Sequence, residues 1–135
     1  MMTLTNIAQW IVRLTGPTQV VLGLLFWTGR ALTLLPLHML MGMLFVLAYL
    51  VLAGLAAWAA LRPALVVLTV AWGLVIPAFG IIQSRLLPGP AHWVVKLAHL
   101  LIGIVAMIVA ARLARFVRSN PRRRRVLAAE PSLVR

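Results

Sequence analysis

The sequence predicts an all-α integral membrane protein, a four-helix bundle of up-down-up-down topology. Three observations predict it. Hydrophobic residues make up 64% of the 135 positions and charged residues only 10%, and the mean hydropathy is +1.07, far from the balance of a water-soluble domain. Four apolar runs, each about the ~20 residues needed to cross a bilayer, are separated by short breakers. Acidic residues are nearly absent: the one that exists is Glu130, in the C-terminal tail. The expected organisation is a four-helix transmembrane domain over residues 1–118 and a basic, disordered cytoplasmic tail over 119–135.

The first helix is expected at about 7–27. Arg13, Thr15, Gly16, Pro17 and Gln19 interrupt its first half. Either Arg13 snorkels to the interface, or residues 4–15 lie partly in the headgroup layer before the crossing begins. Neither a basic leader nor a small-residue cleavage site accompanies this run, so a removable signal peptide is not expected. Thr28, Gly29 and Arg30 read as a turn. The second helix, about 34–60, is the most apolar; Trp58 suits an interfacial anchor at its far end, and Arg62-Pro63 closes it. The third, about 64–87, contains Gly73, Pro77 and Gly80, with a kink expected near Pro77. Leu87-Pro88-Gly89-Pro90 then breaks the chain. The fourth, about 91–116, enters at Trp93.

Cysteine is absent, which excludes disulfides, thiolate metal sites and dithiol redox chemistry. Without a carboxylate in any apolar run, proton-coupled export is disfavoured. The net charge of +12 could be taken for nucleic-acid binding, but eight of the thirteen basic residues lie from Arg112 onward, beside a membrane segment. Arginines so placed contact anionic lipid headgroups and fix orientation. Nucleic acid is therefore not an expected partner. Four crossings put both termini on one side. That side carries Arg13, Arg62 and the arginine tail, against Arg30, Arg85 and Lys96 on the other, so both termini are expected in the cytoplasm of a bacterial cell, with the helices in its cytoplasmic membrane.

His38 begins a motif that recurs. In Pro36-Leu37-His38-Met39-Leu40-Met41-Gly42, and again in Ala98-His99-Leu100-Leu101-Ile102-Gly103, a histidine inside an apolar run is followed by glycine four residues on. An imidazole in hydrocarbon is costly unless something satisfies it. The second and fourth helices run in the same direction, and each offers one imidazole in the outer half. Two such imidazoles can clamp a haem iron from both faces. A residue at i+4 shares the histidine's helix face, and glycine there lets a flat ring approach the backbone. Gly23 on the first helix and Gly73 or Gly80 on the third are further candidates to relieve crowding at its edges. Arg30, Arg85 and Lys96, on the same outer side, suit its propionates.

Depth leaves the pairing open. His99 lies ~12 Å into a helix that starts at Ala91, whereas His38 is ~6 Å deep if its helix starts at Leu34 and equally deep if it starts near Ala31. His92, seven residues before His99, competes as a ligand; with Lys96 rather than glycine four residues on, it better suits a propionate or quinone contact. Gln83 could play a similar polar role or face water. Met39, Met41, Met43 and Met107 cannot share one helix face and read as packing or lipid contacts. Three histidines at two depths fit a zinc site poorly.

These residues resemble the transmembrane four-helix b-type cytochromes, including cytochrome b561-like proteins. The resemblance rests on residues 36–42 and 98–103 within a four-helix frame over 7–116. It implies haem b held by His38 and His99, Gly42 and Gly103 making room for the ring, and electron transfer within a membrane. This chain has one such ligand pair where many of those proteins have two. The expected function is thus electron exchange with a quinone or a partner protein near the outer face, as a carrier or a component of a quinone oxidoreductase. No hydrolytic or group-transfer site is seen. The alternative is a non-catalytic assembly or anchor subunit of a membrane complex, or a homo-oligomer, with glycines serving helix packing.

Overall fold

The computed structural model describes residues 2–119. Of the expected basic tail, Ser119 belongs to the last helix, and residues 120–135 lie outside the described residues. All regular structure among the described residues is helical: α1 (Met2–Trp27), α2 (Leu35–Trp58), α3 (Pro63–Ile82) and α4 (His92–Ser119). A 3₁₀ turn, Leu32–Leu34, leads into α2, and a second, Gln83–Arg85, continues α3.

Three stretches are long and apolar enough to cross a membrane: Leu32–Trp58, Pro63–Arg85 and His92–Ser119. The N-terminal helix differs from them and from expectation. It begins at Met2 rather than near residue 7, and it runs straight through Pro17. Its early start has a packing reason. Thr5, Ala8, Gln9 and Val12 are buried and recur at helical spacing. At that end Arg118 of α4 donates a hydrogen bond to Oε1 of Gln9. The opposite face is polar or exposed, with the Arg13 guanidinium 5.5 Å from the Trp10 ring centre, a cation–π distance.

The breakers act as their residues dictate. Gly29, at φ 73°, ends α1: its N–H bonds Phe26 O (3.0 Å) and that of Arg30 bonds Leu25 O (2.9 Å), the double closure of a Schellman turn. The end of α2 uses the same closure with Ala60 at φ 64°, where Ala60 bonds Ala57 O (2.9 Å) and Leu61 bonds Ala56 O (3.0 Å). Pro63 starts α3 at a position where no N–H is missed. Gly89, at φ 99°, turns the chain into α4.

α2 and α4 pack on each other and on both remaining helices, while α1 and α3 occupy opposite flanks and do not meet. The core lies where α1, α2 and α4 converge. It is rich in alanine: Ala48, Ala53 and Ala56 of α2 and Ala106, Ala110 and Ala114 of α4 belong to one buried cluster with Tyr49 and Leu52. Small side chains at this spacing let two backbones approach closely, a packing mode suited to lipid surroundings. α3 is the least covered helix, burying only Thr69 and Gly73. The alanine-packed middle leaves room at either end, where two cavities form.

Candidate functional site

The first cavity, about 410 Å³, lies between the C-terminal half of α1 and the N-terminal halves of α2 and α4, within the size range of small-molecule sites. His38 and His99 line it together, their ring centres 6.5 Å apart and their planes inclined at 46°. The 3₁₀ turn before α2 accounts for the matched depth. Rising about 2 Å per residue, it puts His38 about 10 Å in from Leu32, and His99 is about 10 Å in from His92. The expectation that α2 starts near residue 34 had left this match unresolved.

Each imidazole is packed by an aromatic neighbour. Phe26 meets His38 edge-on with centroids 5.3 Å apart, and Phe79 stacks on His99 at 5.9 Å. Both Nδ1 atoms are buried without a hydrogen-bond partner, a state that costs about 1–3 kcal/mol per group unless something binds there. Among the described residues no three His, Cys, Asp or Glu side chains group as metal ligands.

The glycines divide into three cases. A side-chain carbon added at Gly23 or Gly103 would meet nothing within 4 Å, and both residues line the cavity. At Gly80 it would lie 3.4 Å from Cε1 of His99. Gly42 departs from expectation, because Nε2 of Gln19 occupies the space beside it. That same Nε2 donates to the His38 carbonyl at 2.9 Å, while Oε1 of Gln19 is buried without a partner. Gly73 also departs: it packs against Tyr49 and Leu50, away from this cavity. The sulfur of Met107 fills the space beside Gly16.

At the mouth, Gln83, Ser84, His92 and Lys96 line the rim. Of the three cations expected here, Lys96 alone does so; Arg30 and Arg85 are exposed elsewhere at this end. His92, the competing ligand candidate, is tied down: its Nδ1–H donates to the Leu86 carbonyl at 3.1 Å and so braces the Pro-Gly-Pro breaker. Gln83 is half-buried on the rim rather than facing water.

Sequence reasoning treated Gln19 only as an interruption of the first run, and did not single out Phe26 or Phe79. The signal for Gln19 was present. Gly16, Gln19 and Gly23 are spaced three and four apart, which puts them on one helix face, and all three line the cavity.

The site brings two imidazoles together. Metal–imidazole bonds of about 2 Å, with each nitrogen about 1.1 Å from its ring centre, put two such rings roughly 6 Å apart, close to the 6.5 Å seen. No family model, curated protein or solved structure matches the chain.

Proposed function

We propose that the chain is an integral membrane protein whose four helices alternate up and down across a bacterial cytoplasmic membrane, and that it carries a b-type haem held by His38 and His99. The observation that supports this reading is the facing of two imidazoles, 6.5 Å apart, across a cavity with open glycine positions at Gly23 and Gly103. His38 and His99 would be the residues that hold the haem, which would supply one-electron exchange. The function proposed is electron transfer to or from a quinone or a partner protein near the outer face.

The residues of the chain divide the remaining work. Phe26 and Phe79 pack against the two rings and would limit their rotation as ligands. Lys96 would hold a propionate by charge at the rim, with His92 and Ser84 offering hydrogen bonds beside it. Apolar walls keep water from the buried nitrogens and raise the electrostatic weight of every charge nearby. Arginines at the end of α4, Arg112, Arg115 and Arg118, favour the orientation with both termini in the cytoplasm and contact anionic headgroups there.

Absorption spectroscopy tests this. Protein purified from haem-replete cells should show a Soret band and a sharp reduced α-band, lost in both His38→Ala and His99→Ala and kept in His92→Ala. Colourless wild-type protein would overturn the haem reading and leave the non-catalytic anchor or assembly subunit. Bleaching by His38→Ala and His92→Ala alone would show the ligand pair to be wrong.

A further inference from the structure

The second cavity, about 640 Å³, lies toward the other end of the helices. It is a cleft between α3 and α4 with Tyr49 of α2 at its base. Leu65 and Leu68 form one wall and Val105 and Val109 the other. Two hydrogen-bond donors stand in this apolar lining without partners: the Tyr49 hydroxyl, on a side chain with no exposed surface, and the indole N–H of Trp72. Both residues line the same cleft. Thr69, also in the lining, spends its hydroxyl on the Leu65 carbonyl at 2.7 Å.

Arg112 supplies the third element. It lines the same cleft and is exposed, and among the described residues there is no aspartate or glutamate to pair with it. Trp72 lies about 13 Å along α3 from Pro63, whereas Arg112 is about 10 Å along α4 from Ser119. An arginine stem is long enough to carry its charge further toward that end. The cleft therefore offers a cation toward the surface, two neutral donors beneath it, and apolar walls.

That order matches an anionic glycerophospholipid: phosphate outermost, ester carbonyls below, acyl chains inward. We propose that the cleft is a binding site for one such lipid, its phosphate on Arg112 and its ester carbonyls accepting from Tyr49 and Trp72. A fatty acid would satisfy Arg112 and leave both donors orphaned, and a zwitterionic lipid would weaken the charge pairing. The proposal rests on the membrane reading above and is independent of the haem.

Native mass spectrometry of the full chain in detergent, titrated with phosphatidylglycerol, tests it. One tightly held lipid per chain is expected, with binding about tenfold weaker in Arg112→Gln and in the Tyr49→Phe/Trp72→Phe pair, the factor for a lost charge-assisted bond or two neutral ones. Because the aromatic pair could perturb folding, wild-type protein is also titrated with the ether-linked analogue, which keeps the phosphate and lacks the carbonyls. It too should bind about tenfold more weakly. Equal affinity for ester and ether lipids, equal affinity for phosphatidylcholine, or unchanged binding in the variants would each overturn the site. Flotation with carbonate-washed vesicles checks membrane insertion separately, and the absorption spectrum checks the haem.

Discussion

Gln19 shows how a single residue can carry two jobs that its own segment does not reveal. Its Nε2 fills the space beside Gly42 and donates to the carbonyl of His38, so it pins the first turns of α2 to α1. A methyl group at position 42 must push that amide away and break the bond. Gly42→Ala should therefore lose about 1 kcal/mol, the net worth of one hydrogen bond, against a helix-propensity gain of about 1 kcal/mol. The informative quantity is the difference between backgrounds. In Gln19→Ala the same change should appear about 1 kcal/mol more favourable than in the wild type, measured by unfolding in mixed detergent micelles; an identical effect in both backgrounds would refute the account. Gly103 behaves differently, since an added side chain meets open cavity. If the proposed haem is bound, Gly103→Leu should leave the fold intact and remove its absorption, whereas Gly103→Ala should keep most of it. The two glycines were indistinguishable in sequence, each four residues after a histidine. What separates them is Gln19, which reaches Gly42 from another helix, and pairing between helices is not written in spacing along one of them.

At the scale of the element, the breakers and apolar runs were legible because proline, glycine and hydropathy act locally. Thr28-Gly29-Arg30 follows the end of α1 as expected, whereas α3 ends at Ile82, five residues before the expected 87, and only the 3₁₀ turn Gln83–Arg85 carries the chain toward Leu87-Pro88-Gly89-Pro90. The start of α1 was not legible, because its first turns are held by contacts to the far end of the chain, Gln9 to Arg118. Nor was the 3₁₀ turn before α2, which decides which histidine depth matches His38. The helix ends also set up a stability test. Gly29 and Ala60 occupy equivalent left-handed positions at φ 73° and 64°, but only glycine takes that conformation without steric cost. Ala60→Gly should stabilise the protein by about 1 kcal/mol and Gly29→Ala should destabilise it by a similar amount, read from thermal unfolding in detergent. A destabilising Ala60→Gly would mean that the methyl group packs usefully or that the turn relaxes in the membrane.

For the whole molecule, the placement of both cavities follows from where the small residues lie. Alanines on α2 and α4 close the middle of the structure, so space remains at the two ends. At one end the space is lined by histidines and rimmed by Lys96; at the other it is lined by Tyr49 and Trp72 and rimmed by Arg112. The first was legible because histidines in apolar runs demand a reason. The second was not, since a tyrosine and a tryptophan in such runs look like ordinary packing until their polar atoms are found without partners. The proposed functions of the two ends require opposite sides of the membrane, and the absence of native cysteine makes this directly testable. Ala91→Cys, exposed before α4, and Ser119→Cys, exposed at its end, can each serve as the only thiol. In intact cells a membrane-impermeant maleimide should label position 91 and spare position 119 until the membrane is opened. The reverse pattern would place the histidine site on the cytoplasmic side and undo the assignment of its electron partner to the outer face. Replacing Arg112, Arg115 and Arg118 together with the 122–125 arginines by glutamine removes seven of the thirteen basic residues from one side, and should shift a measurable fraction of chains to the inverted labelling pattern.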